Sequence, residues 1–385
     1  MRRWRGRRIL VGALAGVGAV VVLLLAAGWY LSGILGCRGF QPVPRVPGVE
    51  VVAVADGAIT LRATGLANEC GEVRDNWFRD GIWGIRWDGG FGQVGAIQSL
   101  DEAGGEVVRE YSSADGAPPP GMWTRLMHPF PVDPTRALGV GFTEVTYTSE
   151  LGPLPAWATA GDHATWVIYV HGKGGQRTEG MRILKTAADL GMPGLLIDYR
   201  NDPGAPADPT GKYQYGLTEW RDLEGAVRYA LAHGAHDVVL VGYSMGGGTV
   251  LNFLYESELA GVVRGAILDA PMADFGATVD HGIRDYGVPG PLVPLPRMIA
   301  SVRYGIDWAA MDYVARSGEL RTPLLLIHGK QDETVPFGIA EELAAARPDL
   351  VQFEAFDEAE HTRSWGTDPA RYEGLVREFL RLVAP

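Results

Sequence analysis

The chain has 385 residues, an apolar share of 46% and a formal net charge of −12. That length and apolar share support a sizeable core and exclude a disordered chain, and the acidic balance excludes a nucleic-acid partner. Two cysteines exclude a disulfide scaffold. With eight histidines and no H-E-x-x-H spacing, no metal or other cofactor is expected.

Residues 1–8 hold five arginines and no acid, and residues 9–36 carry no charge at all. A bilayer core needs about 20 apolar residues, so this run predicts one transmembrane helix. Arginines before it and acidic sequence after it predict a cytoplasmic N-terminus with everything downstream extracytoplasmic. The run exceeds the roughly 7–15 apolar residues of a cleavable signal peptide, which favours an uncleaved anchor; secretion after cleavage is the alternative. Cys37 and Cys70 then lie in an oxidising compartment, where a disulfide is expected. Ile34-Leu35-Gly36-Cys37 also resembles a bacterial lipobox, so a disulfide, a lipid-modified Cys37 and two free thiols all stay open.

The second segment, 37–140, begins with Pro42, Pro44 and Pro47, a stiff linker. Alternating runs at 49–54, 58–63, 83–87, 92–98 and 107–111, punctuated by Asp-Gly and Gly-Gly, read as hairpins. Trp77, Trp83, Trp87 and Trp123 are the expected core of this small β-rich accessory region. Pro118-Pro119-Pro120 leads into the third segment, 141–385.

There, strand-like runs at 143–148, 166–170, 194–198, 238–241, 265–268, 324–327 and 351–356 alternate with helical stretches at 180–190, 218–233, 245–259, 337–346 and 369–382. The later runs are short, continuous and aliphatic, the pattern of parallel strands covered on both faces. Strand–helix alternation with right-handed crossovers gives a doubly wound α/β sheet that binds ligands at the carboxyl ends of its strands.

Three motifs fall at such ends. Gly242-Tyr243-Ser244-Met245-Gly246 follows an apolar run and reads as a G-x-S-x-G elbow that holds Ser244 at φ > 0 on a sharp strand-to-helix turn. Downstream, the 324–327 run leads to Asp332, and the 351–356 run leads to His361. His361 is the only histidine beyond Asp332, so it is the candidate base, with Asp332 fixing its tautomer. Asp269 is the alternative acid. The third motif, His171-Gly172-Lys173-Gly174-Gly175, suits a loop that donates a backbone N–H to an oxyanion hole. Lys173 and Met245 are the candidate donors, Gly174 is the choice after a one-residue shift, and His171 is expected to order the loop. Neither G-x-x-x-x-G-K-[ST] nor G-x-G-x-x-G is present in that loop, which argues against a phosphate cradle. Asp198-Tyr199-Arg200 reads as a structural brace.

From about residue 142 to 385 the chain resembles the α/β-hydrolase superfamily, nearest to its serine esterase and prolyl-oligopeptidase-like branches. The resemblance rests on the His171–Gly175 loop, Asp198-Tyr199-Arg200, the Ser244 elbow, His328-Gly329-Lys330-Gln331-Asp332 and Glu360-His361-Thr362. A departure is Ala359-Glu360, where many relatives have a glycine before the histidine. The resemblance implies a mostly parallel sheet with a cap insertion at about 271–312, rich in proline and carrying Met272, Phe275, Tyr286, Leu292, Met298, Ile299, Tyr304 and Trp308 as pocket lining or as glue. The expected protein is a membrane-anchored extracytoplasmic serine hydrolase. It would cleave a small-molecule carboxylic ester through an acyl-enzyme, with no cofactor and with the membrane met through the N-terminal helix. A peptidase or acyltransferase of the same fold, or a non-catalytic binding protein, are the alternatives.

Overall fold

The computed structural model describes residues 2–73 and 76–385, with side chains from Leu14 onward except at residue 76. The arginines of residues 1–8 lie outside the described side chains. One helix, Arg2–Ile34, opens the chain and passes into a π-helical turn, Leu35–Phe40. Leu14–Phe40 is long and apolar enough to cross a membrane; residues 14–27 are almost wholly exposed, whereas Gly28, Ser32, Gly36 and Phe40 are buried against the rest of the protein. Cys37 and Cys70 form a disulfide with Cα atoms 5.6 Å apart, so neither a free thiol nor a lipid thioether describes Cys37.

Residues 41–48 are extended but packed rather than a free spacer. Thr64 N–H donates to Gly48 O (3.0 Å), and Arg45 donates to Lys173 O (3.0 Å). Six strands follow: β1 (Val49–Ala55), β2 (Ala58–Ala63), β3 (Trp83–Trp87), β4 (Gly90–Asp101), β5 (Glu106–Ser112) and β6 (Trp123–Thr124). They form an antiparallel sheet in the order β3-β4-β5-β2-β1-β6. Asp56 and Gly57, at φ 51° and 75°, make the two-residue turn between β1 and β2 whose twist matches its strands. Trp77 and Trp83 are buried in this core and Trp87 packs against it, but Trp123 is 55% exposed. A two-residue edge strand leaves its indole with no facing layer. The sequence also gave no sign that Arg109 is fully buried. Its guanidinium donates to the carbonyls of Gly95, Trp77, Arg79 and Gly81, clamping the 77–81 turn.

The second sheet has eight strands: β7 (Phe142–Ser149), β8 (Gly152–Thr159), β9 (Thr165–Val170), β10 (Gly194–Ile197), β11 (Asp237–Tyr243), β12 (Val263–Asp269), β13 (Leu324–Gly329) and β14 (Val351–Phe356). Their order is β14-β13-β12-β11-β9-β10-β8-β7, with β9 to β14 mutually parallel and β7 and β8 antiparallel at one edge. Successive residues alternate between two apolar layers. Ile168, Leu240 and Leu268 face one set of helices, and Val167, Val239 and Ile267 face the other. β8 escapes a sequence reading because Pro153 and Pro155 look like breakers. At those positions β8 has run past the end of β10 and pairs only with β7, and Pro155 O accepts from Asp198 N–H (3.1 Å). The missing proline N–H therefore faces the side with few partners.

The proline-rich 271–312 insertion is largely helical. It carries helices Phe275–Asp285 and Pro294–Tyr304, with Pro294 and Pro296 in a first turn that needs no N–H from them. The second helix packs on the end of the N-terminal helix. Leu295 and Ile299 lie over Gly28, Tyr304 over Gly36, and Arg303 donates to Trp29 O (2.7 Å) and Ser32 Oγ (2.6 Å). Phe275 stacks on Tyr215 (3.7 Å between centroids) and meets Phe40 edge-on (5.4 Å). Of the eight apolar residues singled out in this segment, Met272 lines the cleft around Ser244; Phe275, Ile299 and Tyr304 join the body to the N-terminal helix.

Candidate active site

β11 ends at Tyr243, and the helix Met245–Glu256 starts two residues later. Ser244 between them has φ 50° and ψ −117°, a left-handed corner that costs energy for any L-residue and puts the hydroxyl at its tip. Glycine is required on either side. A Cβ on Gly242 would sit 2.7 Å from Gly246 O, and one on Gly246 would sit 2.2 Å from Val170 O.

His361, in the loop after β14, places Nε2 2.9 Å from Ser244 Oγ and Nδ1 2.7 Å from Asp332 Oδ2. Asp332 is buried in the loop after β13. Its Oδ1 accepts from the N–H groups of Thr334 and Val335 (both 2.8 Å), and its Oδ2 lies 3.0 Å from His328 Nε2. Burial alone would neutralise this carboxyl, but the His361 charge and the histidine hydrogen bonds hold it well below the usual carboxylate range. Burial likewise opposes charge on His361, and Asp332 outweighs it, so the imidazole pKa is raised above its ordinary value. Asp269 points elsewhere: its Oδ2 accepts from Tyr372 O–H (3.0 Å) and faces Arg182 (3.8 Å).

The loop after β9 runs beside the elbow. Gly172 N–H is committed to Glu179 Oε2 (2.8 Å), so it cannot also serve an oxyanion. Lys173 follows it and lines the same cleft as Ser244. Met245 N–H opens a helix and so lies outside the intrahelical ladder. Glu179 is itself pinned by Arg182 (2.8 Å), which also donates to Thr362 O beside His361. One buried ion pair thus connects the glycine loop to the histidine loop. His171 orders the glycine loop: Nε2 lies 2.9 Å from Asp202, Nδ1 lies 2.9 Å from Gly172 O, and the ring stacks on Tyr199. Burial works against its charge, yet Asp202 pushes it up to about 9, so both nitrogens donate.

No protein-family model matches the chain. It is 26% identical to YqkD of Bacillus subtilis, an uncharacterized protein, over 226 residues covering 57% of this chain and 72% of that one. It is also 26% identical to YfhR of Escherichia coli, likewise uncharacterized, over 236 residues covering 60% and 75%. Among solved structures, the Pyrococcus furiosus esterase Pf2001 matches with a TM-score of 0.54 at 20% identity, covering 66% of this chain and 96% of that one.

The chain has the α/β-hydrolase fold.

In the α/β-hydrolase order, Ser244, Asp332 and His361 follow β11, β13 and β14, and the glycine loop follows β9. Asp198-Tyr199-Arg200 lies at the end of β10 and braces it. Arg200 bonds Asp222 (2.7 Å), Asp208 (3.3 Å) and Glu150 (2.9 Å). Among the described residues, His171, Asp198 and Asp202 bring their polar atoms within 4.8 Å of one another, as metal ligands do. His171 spends both ring nitrogens within the protein, Nε2 on Asp202 and Nδ1 on Gly172 O.

One wall of the Ser244 cleft comes from outside the hydrolase sheet: Arg45, Arg79, Trp83 and His128. Arg79 bridges to Glu360 (3.1 Å) and Glu333 (3.2 Å), fastening that wall to the loops of His361 and Asp332. Sequence reasoning placed none of the four at the site, since nothing local marks a residue whose partner lies far along the chain, as Lys173 does from Arg45, Glu360 from Arg79 and Arg363 from Trp83. Arg363 also lines the cleft; its position two residues past His361 was a usable signal.

Proposed function

We propose that this protein is a serine hydrolase that cleaves carboxylic esters through an acyl-enzyme. The observation that carries the reading is the relay Ser244 Oγ–His361 Nε2 (2.9 Å) and His361 Nδ1–Asp332 Oδ2 (2.7 Å), set at the left-handed corner after β11.

Ser244 Oγ attacks the ester carbonyl carbon while His361 Nε2 takes its proton, and Asp332 stabilises the imidazolium. The carbonyl π electrons move onto oxygen, which the backbone N–H groups of Lys173 and Met245 receive. Collapse of this intermediate breaks the bond to the alcohol, which leaves with the proton from His361. Water then attacks the acyl-enzyme by the same steps and frees the acid and Ser244.

In this reading residues 1–36 anchor the protein in a membrane, 37–140 form a wall of the cleft and 141–385 carry the chemistry. The Cys37–Cys70 disulfide supports an extracytoplasmic body, since such bonds persist in oxidising compartments.

The test is fluorophosphonate labelling of the full-length protein in detergent, comparing wild type with Ser244→Ala. Label on wild type that vanishes in the variant is expected. Label that persists in Ser244→Ala, or a folded wild type that takes none, overturns the reading.

A further inference from the structure

Arg363 stands two residues past His361, half-buried between the two sheets, with its guanidinium 3.3 Å from the centre of the Trp83 ring. Among the described residues no oxygen accepts a hydrogen bond from that guanidinium. The nearby carboxylates are spent: Glu179 on Gly172 N–H and Arg182, Glu360 on Arg79. Burial, with the like charge of Arg182, pulls Arg363 down to about 9, which still leaves it a cation at neutral pH. A half-buried cation whose five N–H donors meet no acceptor from the protein is poised to take one from a ligand that enters the cleft. An aromatic face stabilises such a cation but supplies no acceptor.

His128 faces the same space. Its Nδ1 is buried with no hydrogen-bond partner, and its Nε2 lies 3.6 Å from Glu179. Burial is the main cause that lowers it to about 3, and the neighbouring arginines add to this against Glu179. The ring is therefore neutral, and one tautomer makes Nδ1 a donor. Arg363 and His128 both line the Ser244 cleft, and both line a recess that continues past it beside Arg45 and Arg125.

We propose that Arg363 and His128 bind an anionic oxygen, of a carboxylate or phosphate group, carried by the ester that Ser244 attacks. The guanidinium fork matches either group bidentately, Trp83 holds the fork in plane, and the recess gives the charged end a place away from the scissile bond. This assigns a substrate class, a negatively charged ester, and it rests on the serine-hydrolase reading for the word ester.

The test has a binding arm and a turnover arm. Glycerol 3-phosphate and monomethyl succinate are titrated calorimetrically into full-length Ser244→Ala protein in detergent, with and without Arg363→Gln or His128→Leu. Saturable binding of at least one ligand is expected, weakened about 10- to 100-fold by Arg363→Gln, the range of a charge-assisted hydrogen bond. In the turnover arm, kcat/KM is measured on butyryl glycerol 3-phosphate, mono-methylumbelliferyl succinate and uncharged methylumbelliferyl butyrate. The ratio of the better charged ester to the uncharged one is expected to fall about 10- to 100-fold in Arg363→Gln, mostly through KM, and to recover in part in Arg363→Lys. Long-chain homologues of the preferred ester separate a membrane-borne source from a soluble one. Absent binding, or binding and ratios indifferent to both Arg363→Gln and His128→Leu, overturns the proposal. Arginine-dependent binding without turnover or Ser244 labelling overturns the hydrolase reading instead.

Discussion

The Lys173 ammonium donates a 2.7 Å hydrogen bond to the carbonyl of Arg38, joining the loop after β9 to the turn that leaves the N-terminal helix. Arg45 completes the joint by donating to Lys173 O (3.0 Å). The proposed oxyanion donor is thus held by residues that precede both sheets. Lys173→Met keeps the main-chain N–H and removes one tie. We expect kcat on an ester to fall about 10-fold with KM little changed, because a donor that wanders serves the transition state more than the ground state. Steady-state kinetics check this.

Asp332 and His361 set the pH response. With Asp332 ionised beside it, His361 holds its proton above its ordinary 6.5, and a protonated His361 cannot act as base. The acid limb of kcat/KM is therefore expected above pH 6.5, and Asp332→Asn moves that limb down while lowering kcat about 10⁴-fold. Stability follows the opposite sense for the histidine. Its share is present below 6.5 and lost as pH rises through its folded pKa, whereas the Asp332 share is lost only in strong acid. Urea midpoints at pH 5.5 and 8.5, for wild type and Asp332→Asn, measure the difference.

Gly246→Ala drives a methyl to 2.2 Å from Val170 O. Backbone cannot step aside as a flexible side chain does. We expect a loss of about 3 kcal/mol in denaturant unfolding and little labelling of Ser244, since the elbow must open to admit the methyl.

Arg182 bonds Glu179 and Thr362 O while fully buried. Arg182→Leu leaves Glu179 charged, buried and half-satisfied, at a cost of about 3–5 kcal/mol. Arg182→Leu together with Glu179→Leu is expected to recover part of that stability without recovering turnover, because Gly172 N–H and the His361 loop have lost their common tie. Paired thermal melts and kinetics check both statements.

Reduction of Cys37–Cys70, whose ends have a sequence separation of 33, is expected to cost about 3–4 kcal/mol. A melt with and without reductant, and one of Cys70→Ser, measures it.

What the sequence disclosed was local. The buried aliphatic runs of β9 to β14 and the glycines around Ser244 each write a short-range rule into a few adjacent positions. Chain order then left one histidine to meet Asp332. Proline is a weak guide in two places, at Pro153 and Pro155 in β8 and at Pro294 and Pro296 in a helical first turn, because its cost depends on whether a partner wants the missing N–H. Trp123 and Arg109 show the same limit for burial. A tryptophan on a short edge strand stays in water, and an arginine is buried when four carbonyls converge on it. The cleft wall of Trp83 and His128 depends on how two sheets meet, which no window of sequence contains.

Phe40 is buried in the hydrolase core, Gly36 packs under Tyr304, and Arg38 bonds Cys70 O and Tyr286. In the anchored reading, the protein therefore has a collar and no leash. Its cleft stays at one height and one bearing above the bilayer, so an ester bond is reached or missed according to its depth, and lateral drift of the anchor changes neither.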